Sequence, residues 1–139
     1  MTHESFAYLT NTSFGGFCHA PSLALRAEAA FVVAGVAWDG SVTNRPGARF
    51  GPHQIRRASH MLCDAIHPYF DVSPTGYLAD VGDLQLPNTS LESMRATLMP
   101  QARELIEKYH LLWLGGDHSI TLPLLRACRA HYKQPLALI

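Results

Sequence analysis

Cysteine is scarce in this chain: Cys18, Cys63 and Cys128 are the only three, odd in number and far apart. That rules out the paired spacing of a zinc site and the even count of a disulfide scaffold, and it fits a reducing cytoplasm. Long apolar runs are missing as well. No stretch approaches the ~20 residues that cross a bilayer, and Met1-Thr2-His3-Glu4 lacks the basic start of a secretory signal, so the expectation is a protein that neither spans a membrane nor is exported. Neither sign of charge is in excess, with eleven basic residues against eleven acidic ones, which leaves no footprint for nucleic acid or for an anionic lipid surface. Charge of any sign is thin, at 16%, against roughly 25% in soluble domains, so some apolar surface is expected to meet another subunit or another segment. A small-molecule role is what remains.

What is present is enough apolar content, 47% over 139 residues, for one domain with its own core. Residues 1–28 are interrupted by Phe14-Gly15-Gly16-Phe17 and Pro21 and read as an irregular arm with aromatic anchors, which could brace a neighbouring subunit or line an entrance. Residues 29–139 carry the periodic pattern. Ala29 to Ala37 is apolar on both faces, as a strand inside a parallel sheet must be, and it ends at Trp38-Asp39-Gly40. After a loop through Arg45-Pro46-Gly47, Gly51-Pro52 opens a helix whose apolar stripe is Ile55, Ala58 and Leu62. Gly76 to Leu84 reads as a second strand, and Thr89 with Glu92 has the spacing of a capping box.

The next helix carries Ala102, Leu105, Ile106 and Tyr109 on one face, and Pro100 is expected to kink or split it. Leu111 to Leu114 is a third short buried strand, broken by Gly115-Gly116, and about Leu122 to Tyr132 is helical. Pro135 to Ile139 begins a fourth strand. Strands alternating with helices at this spacing predict an α/β fold with a parallel sheet covered on both faces.

The strongest local signal for chemistry is Leu114-Gly115-Gly116-Asp117-His118-Ser119. A buried strand empties into two glycines and then presents an acid and an imidazole at the carboxyl end of a parallel strand, the edge where open α/β sheets gather ligands. Two readings stand. In one, His118 ligates a metal ion while Asp117 and Ser119 support it; in the other, Asp117 and Ser119 cap the helix that follows. The second signal is Arg45-Pro46-Gly47-Ala48-Arg49-Phe50-Gly51-Pro52, which alternates rigid and permissive backbone with two guanidinium groups. Its arginines either shape a site or subunit contact, or satisfy carbonyls in a structural turn. Asp39, Asp80 and Asp83 also follow strands, and each either supports a metal ligand or ends its strand. His53, His60, His67, His110 and His131 show no ligand-like pairing and read as surface or helix residues.

Gly35-Val36-Ala37-Trp38-Asp39, the Arg45-to-Pro52 loop followed by Ile55-Arg56, Asp80-Val81-Gly82-Asp83, and Gly115-Gly116-Asp117-His118-Ser119 together resemble the ureohydrolases of the arginase and agmatinase family. The agmatinase branch is the nearest. The blocks fall in the family's order over about residues 30–139. The resemblance implies an arginase-like three-layer α/β fold, a parallel sheet with helices on both faces, of which this chain would hold about four strands before it is cut. It also implies a small guanidino substrate, most simply agmatine cleaved to putrescine and urea, a homo-oligomer in the full-length form, and a binuclear Mn2+ cluster that turns a bridging water into hydroxide near neutral pH.

On the same footing His118 is the family's first metal histidine, with Asp117 and Ser119 supporting it and Arg45, Gly47, Arg49, Gly51, Gly115 and Gly116 shaping the loops around it. The family's other ligands lie in an Asp-x-His-x-Asp motif after the fourth strand and in a later Asp-x-Asp, and neither motif occurs in these 139 residues. The isolated chain is therefore expected to be inactive, with activity residing in the full-length protein. A guanidinobutyrase or other guanidino-acid hydrolase, or a short noncatalytic relative acting as a binding module, is the alternative. Ala37-Trp38 departs from the family's usual proline and aromatic residue at that place.

Overall fold

The run from Phe31 to Val36 becomes the central strand because it can be buried on both faces: Val32, Val33, Ala34 and Val36 have no solvent exposure at all in the computed structural model. Residues 16–62 and 65–137 are described; Phe14 and Gly15 of the aromatic arm, and Cys63, lie outside them. Strand β1 (Phe31–Val36) pairs in parallel with β2 (Leu78–Asp83) on one side and β3 (His110–Gly115) on the other, giving the order β2-β1-β3. The connections are helical: α1 (Gly51–Ser59) after β1, α2 (Leu91–Ile106) after β2, and α3 (Thr121–Tyr132) after β3.

Alternation along β1 sorts the helices into two layers. Val36 and Trp38 join Met94, Leu98, Ala102 and Ile106 of α2 and Leu124 and Ala127 of α3 in one core, with Leu111 and Trp113 of β3 packed against it. Val33 points the other way, with Leu78, Leu114 and Ala20, and Gly35 on that same face lies beside the Arg56 guanidinium of α1. The expected α/β arrangement, a parallel sheet between helical layers, is what the chain forms.

Helix α1 corrects the expected orientation. Its buried residues are Pro52, Arg56 and Ser59, while Ile55 and Leu62 are 40% and 56% exposed and Ala58 is exposed too. Arg56 decides the face. Its Nε and Nη2 meet Asp80 at 2.8 and 2.9 Å and its Nη1 meets Asp83 at 2.5 Å, so turning the apolar stripe inward would break a buried ionic network.

A bulge sets that network up. Pairing runs Val33 to Asp80 but Gly35 to Asp83, one extra residue on β2, and Gly82 absorbs it at φ 79 while its amide donates to Asp80. Asp83 is thereby brought over Gly35, where a Cβ would fall 1.8 Å from its Oδ1.

Three smaller differences have local causes. Helix α2 runs through Pro100 as one element: Pro100 and Ala96, whose carbonyl the proline leaves without an N–H, are both on the exposed face, and the buried stripe Met94, Leu98, Ala102, Ile106 continues beneath them. Its capping box is Ser90 with Ser93, not Thr89 with Glu92, since Ser90 is the extended residue whose hydroxyl reaches the Ser93 amide. Strand β3 is less buried than expected, with Leu112 48% exposed, because among the described residues only β1 pairs with it. No strand forms over 135–137, and Leu138 and Ile139 lie outside the described residues.

The first 28 residues are not wholly irregular. Short 3-10 turns cover Phe17–His19 and Leu23–Leu25, and polar contacts tie the segment to the body. The Phe17 amide donates to Asp80, the Cys18 amide to the Ser59 hydroxyl, and the His60 ring bonds the Gly16 carbonyl.

Candidate functional site

The exits of β1 and β3 lead to opposite faces, to α1 and to α3, so the carboxyl rim between them is the switch point where an α/β sheet leaves a crevice. Both signals from the sequence meet there. The Gly115-Gly116 turn passes so close under the end of β1 that a Cβ on Gly116 would fall 1.8 Å from the Trp38 carbonyl oxygen, and the Asp117 amide donates to that same carbonyl at 2.8 Å. Gly51 closes the other side, since a Cβ there would stand 2.8 Å from the Gly115 carbonyl oxygen. Glycine at 116 is thus a packing requirement.

Asp117 is buried, and both oxygens of its carboxylate accept hydrogen bonds. One oxygen accepts from the Ser119 amide at 2.9 Å and from the Ser119 hydroxyl, and the other accepts from the Ser41 amide at 2.9 Å. It is the cap of the short His118–Ile120 turn and at the same time the tie between that turn and the loop after β1. The capping reading holds for Asp117 only at this short turn: helix α3 has Ile120 at its N-cap with no side-chain cap bond, and Ser119 donates to Asp117 instead of capping.

His118 is exposed at this rim and lines a cleft of about 470 Å³ together with Trp113, Gly115, Gly116, Asp117 and Thr121. Its Nδ1 lies 3.2 Å from the Thr121 hydroxyl. A partner on one ring nitrogen is what fixes a ligating imidazole and leaves the other for an ion. Among the described residues, no group of three or more His, Cys, Asp or Glu side chains is placed to hold a metal. These residues fit a metal ion as the source of one nitrogen and do not by themselves make its site.

The second loop is organised by Asp39, 3% exposed at the end of β1. Its Oδ2 accepts from the Gly47 amide at 2.7 Å and from the Arg49 amide at 3.4 Å, and its Oδ1 meets Arg49 through Nε and Nη2, each at 2.5 Å. The Arg49 guanidinium, then the Gly47 amide, hold the Asp39 carboxyl down at about 2, against the burial that would raise it. Arg49 is raised in turn by the same bond. Gly47 takes φ 129, an angle that glycine reaches without strain. Arg45 of the same loop is exposed. The expectation that its arginines satisfy carbonyls is corrected for Arg49, whose partner is a carboxylate.

Asp80 and Asp83 are turned toward Arg56 on the α1 side and hold that helix and the Phe17 turn in place. Burial works against the charged form of Arg56, yet Asp80 and Asp83 outweigh it and its pKa is raised. Sequence reasoning placed Arg56 only within a motif. The signal that could have found its role was the polar i, i+3 pair Arg56 and Ser59 on a helix that must cover a sheet. His60, read as a helix or surface residue, stacks on His19 with ring centroids 4.3 Å apart.

Comparison with known proteins adds to this geometry. The family model described as the arginase family matches residues 29–139. An agmatinase of Neisseria meningitidis serogroup C is 41% identical over 116 residues, covering 81% of this chain and 38% of its own length. The crystal structure of a hypothetical agmatinase from Burkholderia thailandensis superposes with a TM-score of 0.74 at 34% identity, covering 79% of this chain and 36% of that one. A proclavaminate amidino hydrolase from Streptomyces clavuligerus does so with a TM-score of 0.68 at 27% identity, over 87% of this chain and 39% of that one. The chain spans about two fifths of the length of these relatives.

Proposed function

The chain belongs to the arginase family, and from that membership we propose that the whole protein hydrolyses a guanidino compound to urea and an amine, with agmatine as substrate and putrescine as the amine. The observation that carries the reading is the position of His118, exposed beside a cleft at the carboxyl end of β3, in a chain 41% identical to an agmatinase over 116 residues. Likeness to a proclavaminate amidino hydrolase supports a second reading, in which the guanidino group is shared but the rest of the substrate differs.

Manganese is the metal we propose, and when bound it supplies a hydroxide nucleophile near neutral pH. His118 contributes one ligating nitrogen, steadied by Thr121 at its other ring nitrogen. Asp117 holds the turn to the β1 loop and keeps its carboxylate occupied by Ser41 and Ser119. Gly116 admits the turn beneath Trp38.

Residence in the cytoplasm and assembly into a homo-oligomer belong to the same proposal. Free thiols at Cys18 and Cys128 support the first, and the exposed apolar side chains Met61, Tyr69 and Phe70 support the second. No helix among the described residues is long and apolar enough to cross a membrane.

The test is urea release by the whole protein with MnCl2, offered agmatine, guanidinobutyrate and arginine in turn. Agmatine should give the highest kcat/KM. His118→Ala should lower turnover and manganese affinity by at least about tenfold, because a ligand matters no less than the outer groups that orient it. Wild-type turnover in His118→Ala would sink the assignment.

A further inference from the structure

We propose that Asp39 and Arg49 are positioning residues for the turn that carries His118, an inference that rests on the reading of His118 as a metal ligand. Asp39 sits in the middle of the short piece of chain on which that turn is seated. One residue before it, the Trp38 carbonyl accepts the Asp117 amide at 2.8 Å; two residues after it, the Ser41 amide donates to the Asp117 carboxylate at 2.9 Å. The Asp39 side chain points to neither. It reaches the Gly47 amide and the Arg49 fork, drawing residues 47–49 back over the piece that holds the turn.

Gly51, immediately beyond, lies against the Gly115 carbonyl. The loop from Trp38 to Gly51 therefore wraps the Gly115–Asp117 turn, and the ion pair is the bond that closes the wrap. His118 follows Asp117 directly, so a shift of Asp117 carries the imidazole with it.

A carboxylate that only ended a strand would have no need of burial. Asp39 is 3% exposed, and it is met by a guanidinium whose side chain is 39% exposed, a placement that gives up solvation of the acid in exchange for a fixed loop. Freed of the pair, the ten peptide units between residues 39 and 49 regain backbone freedom, and the seat of the turn loosens.

The experiment uses the whole protein and four variants: Asp39→Asn, Arg49→Gln, Arg49→Lys, and Asp83→Asn as a control that weakens the ionic network on α1 instead. Amide hydrogen exchange at Asp117 and Ser41 is read without metal, and affinity for MnCl2 alone is read from the free Mn2+ resonance signal. Asp39→Asn and Arg49→Gln should each speed exchange at both amides and weaken manganese binding by about tenfold, the size expected for groups that orient a ligand.

Arg49→Lys should recover only part of this, since lysine keeps the charge and loses the fork. Asp83→Asn should lower the melting temperature yet leave both readouts at wild-type values. Wild-type exchange and affinity in Asp39→Asn and Arg49→Gln, or equal changes in Asp83→Asn at equal loss of melting temperature, would overturn the proposal. Unchanged manganese affinity in His118→Ala would remove the ligand reading beneath it. Weakened affinity there, with Asp39→Asn and Arg49→Gln unaffected, would remove the positioning role alone.

Discussion

Arg56 meets Asp80 with two parallel bonds, Nε to Oδ2 at 2.8 Å and Nη2 to Oδ1 at 2.9 Å, and both residues are buried. Asp80 uses its remaining capacity on the Phe17 and Gly82 amides, so one carboxylate joins α1, the bulge of β2 and the Phe17–His19 turn. Removing Arg56 leaves Asp80 buried without its cation, and Arg56→Met is expected to cost about 3–5 kcal/mol in urea unfolding. Arg56→Lys should recover little of that, for want of the fork. A loss below about 1 kcal/mol in Arg56→Met would show that the network contributes little.

The orientation of α1 gives a contrast between two aliphatic side chains. Ile55→Ser should change stability by no more than about 0.5 kcal/mol, as surface substitutions do, because Ile55 faces outward. Leu98→Ala, in α2 with no exposure, should cost about 2–5 kcal/mol. Equal losses from the two would mean that α1 buries its apolar stripe in solution.

Asp39 makes a prediction in pH. Its folded carboxyl is held down at about 2, first by the Arg49 side chain, whereas an unfolded aspartate titrates near about 4. A depressed carboxylate stabilises the folded state above the unfolded value and loses that contribution as pH falls through the folded one. The wild-type melting temperature should therefore decline between about pH 4 and about pH 2 more steeply than that of Asp39→Asn, with the gap between the two proteins closing over that range. A constant gap would show that the Asp39 charge does not stabilise the fold.

Two glycines separate packing from composition. Gly116→Ala forces a methyl to 1.8 Å from the Trp38 carbonyl oxygen, backbone that cannot swing aside, while a Cβ at Gly76 meets nothing within 4 Å. The first should cost about 1–3 kcal/mol, as overpacking does, and loosen the Asp117 amide. The second should leave the melting temperature near wild type. Similar melting curves for both would place the turn away from β1.

The ligand inventory carries the last prediction. Among the described residues no three metal-binding side chains converge, and at the rim His118 stands beside an Asp117 carboxylate already bonded to Ser41 and Ser119. The 139-residue chain with MnCl2 and agmatine should release no urea above blank. Measurable turnover would mean that a second ligand set exists within these residues.

The three strands of the sheet, the helix order and the location of the motif turn were legible in the sequence because each depends on local pattern, whereas the strand expected from Pro135 does not form over 135–137. A segment such as Val32 to Val36, apolar on both faces, can be satisfied only inside a sheet, and Gly115-Gly116 after a strand can only be its exit. The cap of α2 was missed by one residue because Thr89, Ser90, Glu92 and Ser93 offer overlapping capping patterns, and only the backbone angle at Ser90 chooses among them.

What the tertiary structure alone decided is which groups meet. Arg56 finds Asp80 across 24 residues and Ser41 finds Asp117 across 76, and in each case the bond overrides or completes what the local pattern implied. Hydrophobic periodicity records only that a helix has two faces. Which face turns inward at α1 was settled by charge, since a guanidinium and two carboxylates brought together out of water must stay together, and no neighbour in sequence carries that information.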